Sequence, residues 1–390
     1  MMKRIFISLA AVLISLSAIA SELSQYTAVR VQKAHQLAQD EKVTEAIETL
    51  NKLDLTRAYD KAFVARMLGV FYWQNEQTKL AVKQLTYAVN SGLLTDDQAW
   101  ITQRMLADVL LNEQQFKQAL LHYYALVKSV PDTQKEDELW MRLAQAEYQV
   151  ENWNKTLSAL EQYEGFEHPN ALPPLSLKLG AQLQLKQWNS AIPTLEKLIL
   201  LQPEKSNWWR QLVGLQLQLE DDKAALDALS LAKLNGVELT QSDRRLLAQL
   251  YAKQDIPERA AIELSELEGA NSDEKLLAEQ ATYWQLAKEW DKSIQVWSLA
   301  SKINPKYHWN VAQLLVQEGH YRQALKQLDR VEAKDKQADI ALARVRALYK
   351  LNKLENALIQ AKHANNVEPS TEAKGWIKYL IQLRTMDASS

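Results

Sequence analysis

The side chains best equipped for chemistry in this sequence are arginines, glutamines and large aromatics set at helical spacing. Arg66, Arg104, Arg210 and Arg245 each carry a guanidinium that forks onto a carboxylate or a peptide carbonyl. Asp108, Gln145, Gln249 and Gln313 offer groups that hold a backbone amide, while Trp73, Tyr148, Trp309 and Tyr349 can cover apolar side chains. The same set also reads as the solvated polar wall of a structural array. Covalent and metal chemistry is poorly provided for. The chain has no cysteine, which excludes disulfides, thiolate metal sites, a cysteine nucleophile and lipid attachment through cysteine. His35, His122, His168, His308, His320 and His363 are scattered, none at the i, i+4 spacing of a helical metal pair. The glycines are isolated and form no phosphate loop, and no Gly-x-Ser-x-Gly elbow occurs. Asp96-Asp97 and Asp221-Asp222 fall where acidic residues favour a helix start. No catalytic, cofactor or metal centre is expected. With 46 basic against 48 acidic residues and no block of five like charges, a nucleic-acid partner is not expected either.

The elements that position these residues are helices. Gly and Pro number nine each, too few for the turns of a sheet protein, while Ala, Leu, Gln, Glu and Lys favour helix. A small residue followed by Leu four later and an apolar or small residue three beyond recurs, as in Ala81, Leu85, Ala88 and Ala225, Leu229, Ala232. The anchors run Ala46, Ala81, Ala119, Thr156, Ala191, Ala225, Ala260, Ser293, Ala324 and Ala357, in steps of 31 to 38 residues. Twelve residues upstream lies a second small position, as at Gly69, Ala107 and Ala248. Twelve downstream, Pro131, Pro203, Pro305 and Pro369 stop the second helix.

This pattern resembles the tetratricopeptide repeat, W-x2-L-G-x2-Y…A-x3-F…P, whose period is 34 residues. Trp140-x2-Leu143, Trp209-x2-Leu212 and Leu68-Gly69-Val70-Phe71-Tyr72 carry the resemblance, which covers roughly residues 27–370. It implies an all-α fold: a right-handed superhelical solenoid of about ten helix pairs, with a concave face lined by the first helices. Residues 21–370 form the solenoid and 371–390 a capping helix and short tail, Trp376, Tyr379, Leu380 and Leu383 marking the cap. With the first small position counted as eight, positions two, five, nine and twelve of each first helix face inward. That rule selects the twelve recognition residues above.

Three departures stand out. Glu147 occupies a position where tyrosine is usual, beside Tyr148. Leu179-Gly180 to Ala191 runs one residue short, so a tightened turn is expected in the fifth repeat. Residues 164–174 break the helical pattern, as a hinge or as a longer inter-repeat loop; the period kept across them favours the loop. Most of the twelve tryptophans fall at packing positions, Trp153, Trp188 and Trp290 plugging turns, but Trp73 and Trp309 do not.

The N-terminus reads as an address. Lys3 and Arg4 precede an apolar run from Ile5 to Ile19, and Ala18-Ile19-Ala20 frames a cut after Ala20. A removed signal peptide at 1–20, export to the periplasm and no direct membrane anchor are expected. The leader, the opening from Ser21 to Ala34 and the block Leu68 to Trp73 resemble periplasmic tetratricopeptide proteins associated with TonB energy-transduction systems of marine gammaproteobacteria. The resemblance implies a protein or peptide partner among TonB, ExbB and ExbD components, in outer-membrane iron–siderophore uptake. A scaffold for envelope assembly, cell-wall synthesis or secretion needs the same groove and a different peptide.

Overall fold

The computed structural model describes residues 23–387; the segment 1–20, expected to be a signal peptide, lies outside them. Every regular element among the described residues is helical. The chain divides into two compact units, 1–201 and 202–390. In the first, α1 (Gln25–Gln39) pairs with α2 (Val43–Asn51), α3 (Ala58–Gln74) with α4 (Thr78–Asn90), and α5 (Asp96–Asn112) with α6 (Phe116–Leu126). The pairs α7 (Glu136–Gln149) with α8 (Trp153–Glu164) and α9 (Leu172–Gln184) with α10 (Trp188–Leu201) complete it. In the second, α11 (Ser206–Gln218) pairs with α12 (Asp222–Leu234), α13 (Gln241–Lys253) with α14 (Pro257–Ser265), and α15 (Glu274–Leu286) with α16 (Trp290–Ile303). There follow α17 (His308–Gln317) with α18 (Tyr321–Leu328), α19 (Gln337–Lys350) with α20 (Leu354–Val367), and α21 (Thr371–Asp387) packed on α20. Ten helix pairs and a closing helix make this an all-α, tetratricopeptide-like repeat array.

The small positions explain the pairing. All ten anchors, from Ala46 to Ala357, are 0 % exposed, so each second helix meets its neighbours through a small side chain. The upstream position is equally closed: Ala34, Ala107, Ala144, Ala248, Ala281 and Ala312 are fully buried. A Cβ built on Gly69 would stand 2.5 Å from Leu85 Cγ, so α3 and α4 touch there with no room for a methyl group. Where α21 closes the array, Ala373 and Leu380 supply its buried face.

One turn joins the helices of every pair. Five residues before each anchor the backbone enters the left-handed region: Glu41, Glu76, Gln114, Glu151, Lys186, Glu220, Asp255, Lys288, Gly319 and Asn352 all have positive φ. The next residue's N–H then reaches back five positions, as from Gln77 to the Tyr72 carbonyl at 2.8 Å, and caps the first helix. Only one of the ten is glycine, so nine side chains accept a conformation that disfavours them. The fifth repeat is no exception. Its turn is not tightened: Lys186 holds the same place, and Gln187 N–H meets the Gln182 carbonyl at 2.9 Å. Its upstream position is Leu179, 3 % exposed, and Gly180 instead leaves space for Tyr148, whose ring Cε2 a Cβ would approach to 2.9 Å.

Glu147 is fully buried. It accepts hydrogen bonds from the Tyr124 hydroxyl of the preceding pair and from Asn152 Nδ2 at 2.6 Å. The phenol has moved from the first helix to the previous second helix, and the carboxylate fills the vacated slot. Between α8 and α9, residues 165–171 are tied down: His168 stacks on Tyr163 and its Nε2 lies 2.9 Å from Asp137 on α7, while Lys178 pairs with Glu164 at 2.7 Å. The division between compact units falls after Leu201, away from this loop.

Candidate partner-binding site

The inner-position residues separate into three groups once burial and partners are counted. Arg66 does not face an open groove. It is 2 % exposed, packs its guanidinium 5.7 Å from the Phe63 ring centre, and leaves Nε and Nη1 without a hydrogen-bond partner. Burial pulls its pKa down to about 10, against the opposing influence of Tyr59. A side chain enclosed in this way cannot grip a peptide, which corrects the sequence expectation. Helix α3 is apolar on nearly every face, and the aliphatic stem of Arg66 shares that burial.

The second group forms a ladder. Arg104 reaches Glu138 on the next first helix at 2.7 Å, with Asp108 on its own helix 3.9 Å away. Arg210 pairs with Asp243 at 3.1 Å, and Arg245 with Glu279 at 2.6 Å. Each rung joins first helices 33 or 34 residues apart in sequence, one repeat on. Although partial burial opposes it, hydrogen bonds from Arg104 and Lys135 hold the Glu138 carboxyl below its usual range; Thr240 and Arg210 do the same for Asp243. These arginines are therefore committed within the chain. Asp108 lies behind the first rung, accepting from the Tyr123 hydroxyl at 2.6 Å, and burial holds its carboxyl above the ordinary range. With Gly69 and Trp73 it borders a small apolar void of about 60 Å³. Gln145 accepts from Arg142 at 3.2 Å, Tyr148 packs edge-on against Trp153 with ring centres 5.1 Å apart, and Gln249 is exposed.

The third group is brought together. Trp309, Gln313 and Tyr349 line a cavity of about 950 Å³ in the second unit. Its walls are α17, which also supplies Val316 and Gln317, and α21, which supplies Glu372 and Trp376. Its floor is one face of α19: Asp339, Leu342, Ala343, Arg346, Tyr349 and Lys350 recur at helical spacing. Tyr349 is held from behind, its hydroxyl 2.9 Å from that of Tyr379 and its ring 5.4 Å from Trp376. Arg346 meets Glu372 at 2.6 Å, a further rung that ends on the closing helix. Trp309 is 8 % exposed and packs against Ala312, Leu328, Ile340 and Ala343, so it is a core residue with one edge on the cavity.

The repeat register accounts for most of the cavity floor. Asp339, Leu342, Arg346 and Tyr349 are positions two, five, nine and twelve of the tenth repeat. Lys336 and Trp376 carry no such signal, because they lie outside the repeat's first helix. Among the described residues no cluster of three or more His, Asp or Glu side chains could hold a metal ion, and no helix is long and apolar enough to cross a membrane.

No protein-family profile matches the sequence, and no curated protein matches it. Solved structures that do match include a tetratricopeptide repeat protein from Parabacteroides merdae, 13 % identical over 73 % of this chain and 99 % of that one, with a TM-score of 0.32. The tetratricopeptide domain of P58(IPK) is 12 % identical over 93 % and 99 %, TM-score 0.27. A chain of the APC/C hetero-tetramer Cut9–Hcn1 is 13 % identical over 91 % and 83 %, TM-score 0.28. Superposition over such lengths is poor, and the repeat assignment stands on the pairing, the anchors and the common turn.

Proposed function

We propose that this chain is a protein-binding scaffold without a reaction of its own, and that the cavity floored by α19 is where it takes a segment of its partner. The supporting observation is the difference between that cavity and the rest of the inner wall. Elsewhere Arg104, Arg210 and Arg245 are spent on neighbouring repeats and Arg66 is enclosed; here aromatic edges, amides and charges converge on roughly 950 Å³ of open space. We further propose an exported protein, cleaved after Ala20 and working in the periplasm, on the strength of the leader's charge, apolar run and small-residue cut. For the partner, the resemblance of Ser21–Ala34 and Leu68–Trp73 favours a component of a TonB-type system serving outer-membrane iron uptake.

A photo-crosslinking residue placed at Gln313, on the cavity and exposed, tests this in whole cells. The control is the same residue at Leu231, exposed on the second helix α12. Position 313 is expected to yield discrete adducts that position 231 does not, and TonB, ExbB or ExbD should be among them. Adducts with other envelope proteins alone would move the envelope-assembly scaffold ahead. No adduct at 313 would remove the cavity from consideration.

A further inference from the structure

The first unit holds a hollow of its own, on the side of α3 opposite its inner positions. Lys61, Val64, Ala65 and Leu68 share one helix face there, and none is a position two, five, nine or twelve. Leu50 at the end of α2, with Leu53 and Leu55 from the connection behind it, forms one bank. Lys83, Gln84 and Tyr87 of α4 form the other, and together they bound about 330 Å³. Leu50, Val64, Ala65 and Leu68 are buried beneath, but Leu53 and Leu55 are only half-buried and Tyr87 is 50 % exposed. The upper hydrocarbon therefore stays in water, where a guest with an apolar body would cover it. The charge is one-sided. Lys61 and Lys83 are exposed, neither holds an ion pair among the described residues, and no carboxylate lines the hollow. The Asn51 amide is already spent, donating to the Tyr72 hydroxyl at 2.8 Å.

An apolar bed edged by cations alone selects a molecule with a hydrocarbon body and one anionic head. We propose that this hollow binds a single-chain anionic amphiphile, its aliphatic chain over Leu53, Leu55 and Leu68 and its head at Lys61 and Lys83. Other guests fit less well. A cationic amphiphile would bring like charge to both lysines. An anion without a chain would be held by exposed lysines only, and such pairs are worth little in water. A peptide would lay its N–H and C=O groups on leucine and valine side chains that offer them no partner. The size of the guest follows from the volume. At about 30 Å³ for each water-sized group, the hollow accepts a chain of about eight carbons with its head at the rim. The site lies in the first unit and away from the inner wall, so it stands apart from the partner-binding cavity of the second unit.

Isothermal titration of the mature full-length protein with butanoate, hexanoate and octanoate at low salt tests it. One site is expected, with affinity rising about two- to fourfold for each added methylene, fourfold being the gain for one fully buried. Octyltrimethylammonium should bind at least tenfold more weakly than octanoate. Lys61→Glu with Lys83→Glu should reverse that order, with an unchanged circular dichroism spectrum because both lysines are exposed. Gln84→Trp, at the half-buried rim, should fill the hollow and weaken every chain while leaving the lysines in place. Sedimentation with phosphatidylglycerol vesicles separates the sources of the amphiphile. Wild type that sediments, and a Lys61→Glu, Lys83→Glu variant that does not, would mean a lipid drawn from a bilayer; octanoate binding without sedimentation would mean a free amphiphile. Affinity independent of chain length would overturn the apolar bed. Equal affinity for octanoate and octyltrimethylammonium would overturn the role of the lysines. Octanoate binding that survives both the double variant and Gln84→Trp would place the amphiphile elsewhere and overturn the site. None of these results bears on crosslinking at Gln313, so the scaffold reading stands or falls separately.

Discussion

Replacing Glu147 by alanine is expected to destabilise the first unit by about 2–3 kcal/mol, the cost of losing two hydrogen bonds to a buried carboxyl group. The carboxylate has no solvent exposure, and its two oxygens receive Tyr124 and Asn152, with Lys155 Nζ at 4.0 Å. Alanine would leave the half-buried Tyr124 phenol without its acceptor, free the Asn152 amide to solvent, and open a cavity between α6 and α7. Urea unfolding followed by far-ultraviolet circular dichroism measures the loss. The companion variant Tyr124→Phe with Glu147→Leu should recover most of it, since removing both polar partners removes the unmet demand. A loss below about 1 kcal/mol in Glu147→Ala would mean that water replaces the carboxylate, and that the site is open.

Two glycines on first helices are expected to respond to alanine with opposite signs. At Gly69 the new Cβ meets Leu85 Cγ at 2.5 Å and Cδ2 at 2.7 Å, and although a void of about 60 Å³ adjoins Leu85, its backbone N at 3.3 Å limits how far the contact can relax. Gly69→Ala should cost about 1–3 kcal/mol despite its better helix propensity, and Gly69→Leu should reach or exceed the top of that range. At Gly214, on exposed helix surface, nothing lies within 4 Å of the added Cβ. Gly214→Ala should therefore stabilise by about 0.5–1 kcal/mol, the entropy glycine forfeits in a helix. Changes of the same sign at both would refute the close contact of α3 with α4.

Much of the array was legible because its packing is governed by residue size, which a sequence displays directly. Ala, Thr or Ser at each anchor, and a small or apolar residue twelve before it, are visible without coordinates. The turn five residues before each anchor was not. Nine of its ten residues are Glu, Gln, Lys, Asp or Asn, so the glycine that would betray a left-handed backbone is missing. The arginines show a different limit. Position five identifies Arg104, Arg210 and Arg245 as inward, but whether Glu138, Asp243 or Glu279 stands opposite depends on how far one repeat is displaced along the next. That displacement is set by packing, and no local pattern encodes it. Arg66 obeys the same count and is nevertheless enclosed, because it lies beside Phe63 on a helix buried on nearly every face. The cavity was half legible: Trp309, Gln313 and Tyr349 follow the repeat, while Lys336 and Trp376 come from a connection and from the closing helix.

The constant turn makes the rungs of the ladder interchangeable parts. Arg210 and Arg245 are 35 residues apart, and so are the left-handed residues Glu220 and Asp255. Excision of 221–255 joins α11 directly to α14 and carries Arg210 into the place of Arg245, opposite Glu279. Duplication of the same stretch supplies a new arginine together with a new Asp243. In-frame recombination between such turns can thus shorten or lengthen the array without breaking the arginine ladder, although excision also strips the buried Glu263 of Lys233 and Arg244. The number of repeats becomes a quantity that inheritance can adjust one module at a time, while the cavity beside the closing helix is left as it was.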